Sequence, residues 1–273
     1  VSAAAAVGAE AVSAVFAQAR AEHRGALVGY LPAGYPSVPG AVEAMLAMVD
    51  AGVDLVEVGL PYSDPLMDGP VIQRAVDSAL QAGTRTADVL HTVQALSDRG
   101  VPAVVMSYWN PIERYGADTF ARDLAAAGGA GVITPDLIPD EAQEWLAAAR
   151  GQGLASVFLV APSSSDDRIV LTTHACRGFV YAASTMGVTG ARSSISGAAH
   201  ELVARTRAVT TLPIGVGLGV STGAQAAQVA AYADGVIVGS ALVRALLEAP
   251  SPDAGRADLA RLAGELAAGV RGA

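Results

Sequence analysis

A carboxylate stands inside an apolar run in VDLVEVGLPYSDPLMDGP, residues 53–70, where Glu57 is followed by Asp64 and Asp68. The segment VDLVEVGL is β-branched and reads as a buried strand. An isolated ionised carboxylate is very costly to bury, so such a group is paired, protonated or at work. Leu55, Glu57 and Gly59 share one face of this strand, and Val56, Val58 and Leu60 share the other. With the odd face inward, Glu57 projects into the mouth of whatever the strand helps to enclose. No predicted strand ends in an arginine that could meet it. A carboxyl in an apolar mouth has its neutral form favoured, which poises it to give one proton and take another. Asp64 and Asp68 follow in PYSDPLMDG, where aspartate is also an ordinary turn former.

Other chemistries are narrowed by what the chain lacks. All 17 basic residues among the 273 are arginine, so no side-chain amine is available for a Schiff base. The net charge of −9, with no basic run, argues against nucleic acid as a partner. His23, His91, His174 and His200 fall before a strand or within helices, which argues against a histidine base or a metal site. The single cysteine, Cys176, excludes a disulfide framework and fits a cytoplasmic protein. No apolar run reaches the roughly 18 residues of a membrane span. The Ala-rich start, VSAAAAVGAEAVSAVFAQARAEHRG, reads as a helix rather than a signal peptide.

Eight short apolar runs must position these residues: 26–34, 53–60, 102–109, 130–137, 154–162, 178–184, 212–219 and 234–241. Amphipathic stretches such as GAVEAMLAMVDAG and TGAQAAQVAAYA alternate with them. That alternation predicts one α/β domain over 1–273, a single (β/α)8 TIM barrel with an extra N-terminal helix and a C-terminal helix. A doubly wound open sheet is the alternative, but it gives no reason for the late Gly-rich strand ends. In a barrel the active site gathers at the carboxyl ends of the strands.

The stretch VEVGLPYSDPLMDGPVIQ resembles the signature of the tryptophan synthase α subunit family. The likeness continues through YLPAGYP, SYWNP, TPDLIPDEA, GVTGARS, GVGLGVS and VIVGSALV. The resemblance implies a lyase that cleaves indole-3-glycerol phosphate to indole and glyceraldehyde 3-phosphate. It makes Glu57 the proton shuttle and Asp68 the second catalytic carboxylate, which would accept the indole N–H. Tyr181 matches a family tyrosine near the reacting side chain. Tyr30, Met106, Ile133, Leu159, Thr189 and Leu218 would complete the substrate pocket. Some members carry phenylalanine where Tyr30 and Leu218 stand, and an arginine where Thr185 stands. Backbone at Gly190, Gly219, Gly239 and Ser240 would hold the phosphate, because the two late Gly-rich loops each lead into a helix.

No cofactor is expected in this chain; pyridoxal phosphate (PLP) would belong to a β subunit in an α2β2 complex. Pro61 and Asp64 would lie near that contact. The segments PYSDPLMDG and TMGVTGARSSISG, poor in residues able to pack a core, would order when the partner docks. Indole-3-glycerol phosphate synthase, a barrel that relies on lysine, is disfavoured by the composition. A stand-alone indole-producing lyase and a non-catalytic, partner-activating barrel are the remaining alternatives.

Overall fold

The computed structural model of the chain describes residues 7–183, 192–217 and 219–272, with the backbone alone at 192–196. Its strands are β1 (Ala26–Pro32), β2 (Leu55–Gly59), β3 (Ala103–Met106), β4 (Gly131–Ile133), β5 (Ala155–Val157), β6 (Leu159–Val160), β7 (Val180–Ala183), β8 (Ile214–Gly217) and β9 (Gly235–Val238). All pair in parallel, in the order β5-β4-β3-β2-β1-β9-β8-β7-β6. Only Phe158 separates β5 from β6, so the nine segments are the eight expected strands with the fifth interrupted.

Pairing passes from one neighbour to the other at the interruption. Val157 lies opposite Ile133 of β4, and Leu159 lies opposite Tyr181 of β7. The Phe158 N–H, released from any ladder, donates to Cys176 Sγ at 3.4 Å. Side chains keep alternating across the gap: Val157 and Leu159 join the inner cluster, Phe158 and Val160 the outer one. The sheet therefore closes into a TIM barrel.

The helices are α1 (Gly8–Ala21), α2 (Val38–Asp50), α3 (Pro70–Gln81), α4 (Thr86–Ser97), α5 (Trp109–Tyr115) and α6 (Ala117–Ala126) in the first half. The second half has α7 (Gln143–Gly151), α8 (Asp166–Ala175), α9 (Arg192–Arg207), α10 (Gly223–Ala230), α11 (Ser240–Leu247) and α12 (Pro252–Arg271). Helix α1 closes the N-terminal end of the barrel. Its Val12 and Phe16 pack among Val28, Leu55 and Phe179, with the Phe16 and Phe179 rings 5.2 Å apart. Helix α12 is not an appendage to the repeat: it packs between α10 and α2 and completes the ring. Extra helices fall within the repeat instead: α3, α5 and the short α11, which lies against β1 and α3 at the other end.

Several expected strands end early. The 102–109 run stops at Met106, and Trp109 already begins α5. The helix start is held from another loop: Asp136, after β4, accepts the Trp109 N–H at 2.9 Å and satisfies one of the free N–H groups of its first turn. Among the described residues no helix is long and apolar enough to cross a membrane.

Candidate active site

On β2 the odd face does turn inward. Leu55 packs in the barrel interior, and Glu57 lines a cavity of about 360 Å³ at the carboxyl ends of the strands. Tyr30, Asp68, Met106, Leu159, Tyr181, Gly219, Gly239 and Ser240 line the same cavity. Glu57 is 2% exposed, and its Oε2 has no hydrogen-bond partner among the described residues. Burial, reinforced by the charge of Asp68, pushes its carboxyl up to about 8. At neutral pH Glu57 is therefore protonated, which answers how a lone carboxyl is tolerated there.

Glycines make room for the aromatic walls. A Cβ at Gly59 would collide with the Tyr30 hydroxyl, and one at Gly217 with the Tyr181 hydroxyl. Two strand ends thus lack side chains so that a tyrosine from the adjacent strand can lie across each. Burial raises both phenols well above their ordinary value, with the acidic groups adding to the effect. They are neutral hydroxyls throughout the physiological range.

Asp68 lies on the loop after β2 and is only partly buried. Its Oδ1 accepts a hydrogen bond from Tyr108 Oη at 3.1 Å, and its carbonyl accepts one from Gln73 Nε2 at 2.7 Å. The same Tyr108 hydroxyl accepts the Met67 N–H at 2.9 Å. So the loop, though poor in packing residues, is pinned at two consecutive positions. Burial raises the Asp68 carboxyl and the Tyr108 hydrogen bond opposes the rise.

The anion end of the cavity lies at α11. Its N-cap is Gly239, and no side chain caps it, so the N–H groups of its first turn have no partner within the helix. Helix α10 differs, because Thr222 Oγ1 accepts the Gln225 N–H and closes its start. Gly219 has φ +64, where an L side chain is strained, and a Cβ there would meet nothing within 4 Å among the described residues. It lines the cavity.

A family model described as tryptophan synthase alpha chain matches residues 16–271. The chain belongs to the tryptophan synthase alpha chain family. The alpha chain of Salinispora arenicola is 64% identical over 260 residues, covering 95% of this chain and 97% of that one. That of Mycobacterium tuberculosis is 63% identical over 257 residues, covering 94% and 93%. Among solved structures, M. tuberculosis tryptophan synthase in an open form with BRD0059 bound superposes with a TM-score of 0.88 at 59% identity, covering 95% and 98%. The alpha subunit from Legionella pneumophila does so with a TM-score of 0.88 at 32% identity, covering 96% and 99%. Tryptophan synthase alpha chains are lyases that cleave indole-3-glycerol phosphate in tryptophan biosynthesis. They carry no cofactor of their own and pair with a beta subunit in an α2β2 complex.

Against this tryptophan synthase alpha fold, most of the expected site residues meet in one cavity. Ile133 does not: it is fully buried in the inner cluster and lines no part of the cavity. Thr189, Gly190 and Leu218 lie outside the described residues, as do Thr185 and most of the segment after β7. Sequence reasoning missed Met67, Ile72, Pro135, Ala183 and Ile237, which also line the cavity, and it missed Tyr108. The signal for Tyr108 was available: it stands where a strand gives way to Trp-Asn-Pro, hence at a carboxyl end.

Proposed function

We propose that Glu57 and Asp68 carry the cleavage of indole-3-glycerol phosphate in this chain, within one barrel domain. One observation supports this above the rest: a carboxyl that burial holds neutral, its Oε2 unpaired among the described residues, opens into the same cavity as a second, anchored carboxyl. In this reading Glu57 gives its proton to indole C3, leaving the ring as a C3-protonated indoleninium cation that keeps its N–H. The Glu57 carboxylate then takes the proton of the adjacent side-chain hydroxyl. The carbon–carbon bond breaks, its electron pair returns to the ring, and indole leaves beside the aldehyde of glyceraldehyde 3-phosphate. Glu57 ends as it began, protonated. Asp68 accepts the indole N–H and offsets the positive charge while the ring carries it.

The phosphate binds the open start of α11 and the backbone at Gly219, Gly239 and Ser240, in keeping with the uncapped helix N-terminus. The indole ring takes the apolar wall formed by Tyr30, Met106, Ile72 and Leu159. PLP belongs to the beta subunit, a reading that the absence of lysine from this chain supports. The exposed Leu66 and Met67 support docking of that subunit at the loop after β2. The location is cytoplasmic, where the free thiol of Cys176 stays reduced.

The test is Glu57→Gln. It should bind the substrate with near-normal affinity and release no indole in a steady-state assay. Near-normal turnover would sink the assignment.

A further inference from the structure

Tyr108 sits between two loops and touches the proposed chemistry only through Asp68. Its hydroxyl has one proton to give. The Met67 N–H can only donate, so it occupies a lone pair of the Tyr108 oxygen and leaves that proton for Asp68 Oδ1. The direction of the bond is thus fixed by a backbone amide. Tyr108 itself is held from behind: its ring stands 5.5 Å from that of Tyr62, and the next residue, Trp109, donates its N–H to Asp136. Loops after β2, β3 and β4 are stitched into one frame around a single carboxyl. From this geometry we infer that Tyr108 is a positioning residue: it fixes the aim of Asp68 and holds it as the acceptor of the pair, leaving Oδ2 for the substrate N–H.

The inference rests on the role proposed for Asp68. It also separates the two acids in the cavity. The hydrogen bond from Tyr108 opposes the upward push of burial on Asp68, while nothing described donates to Glu57 Oε2. The titratable groups around Asp68 are Tyr108, Glu57 and Tyr30, with Tyr62 against Tyr108 and Tyr181 facing Glu57.

Tyr108→Phe removes the hydroxyl and keeps the ring, its burial and its contact with Tyr62. Turnover should fall about ten- to hundredfold with KM within about twofold, since a carboxylate about 1 Å out of place costs on that order. The acid limb of kcat/KM should move to higher pH, because Asp68 loses the bond that favours its anion. In an Asp68→Asn background, under single-turnover conditions with enzyme in excess, adding Tyr108→Phe should change the rate by less than about twofold. An equal fall in both backgrounds would overturn the inference, because the hydroxyl would then act independently of Asp68. A crippled Asp68→Asn beside a near-normal Tyr108→Phe would also overturn it, leaving the role of Asp68 intact. A silent Asp68→Asn would refute the role of Asp68 and the inference with it.

Discussion

The two ends of this barrel treat carboxylates in opposite ways. At the N-terminal end, Asp54 accepts two hydrogen bonds from Arg24, at 2.8 and 2.9 Å, and one from the Leu27 N–H. Asp234 does the same work between β8 and β9: it pairs with Arg20 and Arg207 and accepts the Ile214 N–H. Both acids thus tie a strand start to surrounding arginines, beneath an interior filled by Phe16 and Phe179. At the C-terminal end, among the described residues, Glu57 has no cation beside it and the Asp68 carboxyl has a phenol. Sixteen of the chain's arginines could have been spent there as Arg24 is spent on Asp54; none of those described is. The lesson is that burial alone does not mark a working acid. Burial without a counter-charge does.

The largest effect that would test this contrast is Glu57→Gln, which should lower turnover by about 10³ or more, as loss of a proton-transfer group does. The same change should leave the fold intact and favour it at high pH. The Glu57 carboxyl sits above its ordinary value of 4.5 at about 8, so the native state loses stability as pH rises through that window. Glutamine does not ionise, so above pH 8 the variant should exceed the parent by roughly a few kcal/mol in denaturant unfolding, and match it near pH 4. A variant no more stable than its parent at high pH would mean that Glu57 is not held neutral.

Next comes Asp68→Asn, with an expected loss of ~10²–10³ in turnover from the missing counter-charge. If Asp64→Asn is crippling and Asp68→Asn nearly silent, the wrong loop carboxylate has been assigned. Asp54→Ala probes the other end and sharpens the comparison. It removes two hydrogen bonds from the Arg24 guanidinium, which keeps Glu22 and the Gly25 carbonyl, and leaves the Leu27 N–H without its acceptor; the cost should be about 1–3 kcal/mol in stability, with turnover of the folded fraction unchanged. A fall in turnover per folded molecule would erase the distinction drawn between the two ends.

Smaller effects concern binding and pH. Gly219→Val combines a strained φ with a side chain in the space assigned to the anion, and KM should rise about tenfold or more while turnover changes little. An unchanged KM would move the phosphate elsewhere. In the parent protein kcat/KM should fall on the alkaline side near pH 8, as Glu57 in the free protein gives up its proton. Asp68→Asn should shift that limb to lower pH, because the Asp68 charge contributes to the rise.

Local pattern made much of this legible. The period-2 alternation in VDLVEVGL already put Glu57 inward, and the barrel rule directed attention to strand ends. The glycines of the late loops read as anion-binding candidates for the same reason. Sequence could not distinguish α10 from α11 as an anion site, since that depends on Thr222 turning back to cap one start while Gly239 leaves the other open. Ile133 looked like a strand-end residue because the run 130–137 is apolar throughout, but β4 ends at Ile133 and the chain turns away. Tyr108 escaped notice because its role depends on partners 40 and 41 residues away in the chain. Pairwise contacts across loops leave no periodic trace.

The plug formed by α1 carries a further consequence. With Val12 and Phe16 filling the lower bore, the described residues close that end of the barrel, and the cavity lies at the other. A ligand that cannot pass the plug has only the carboxyl-end face to use, for entry and for exit alike. A beta subunit seated at that face would then stand on the path of every molecule of indole that leaves.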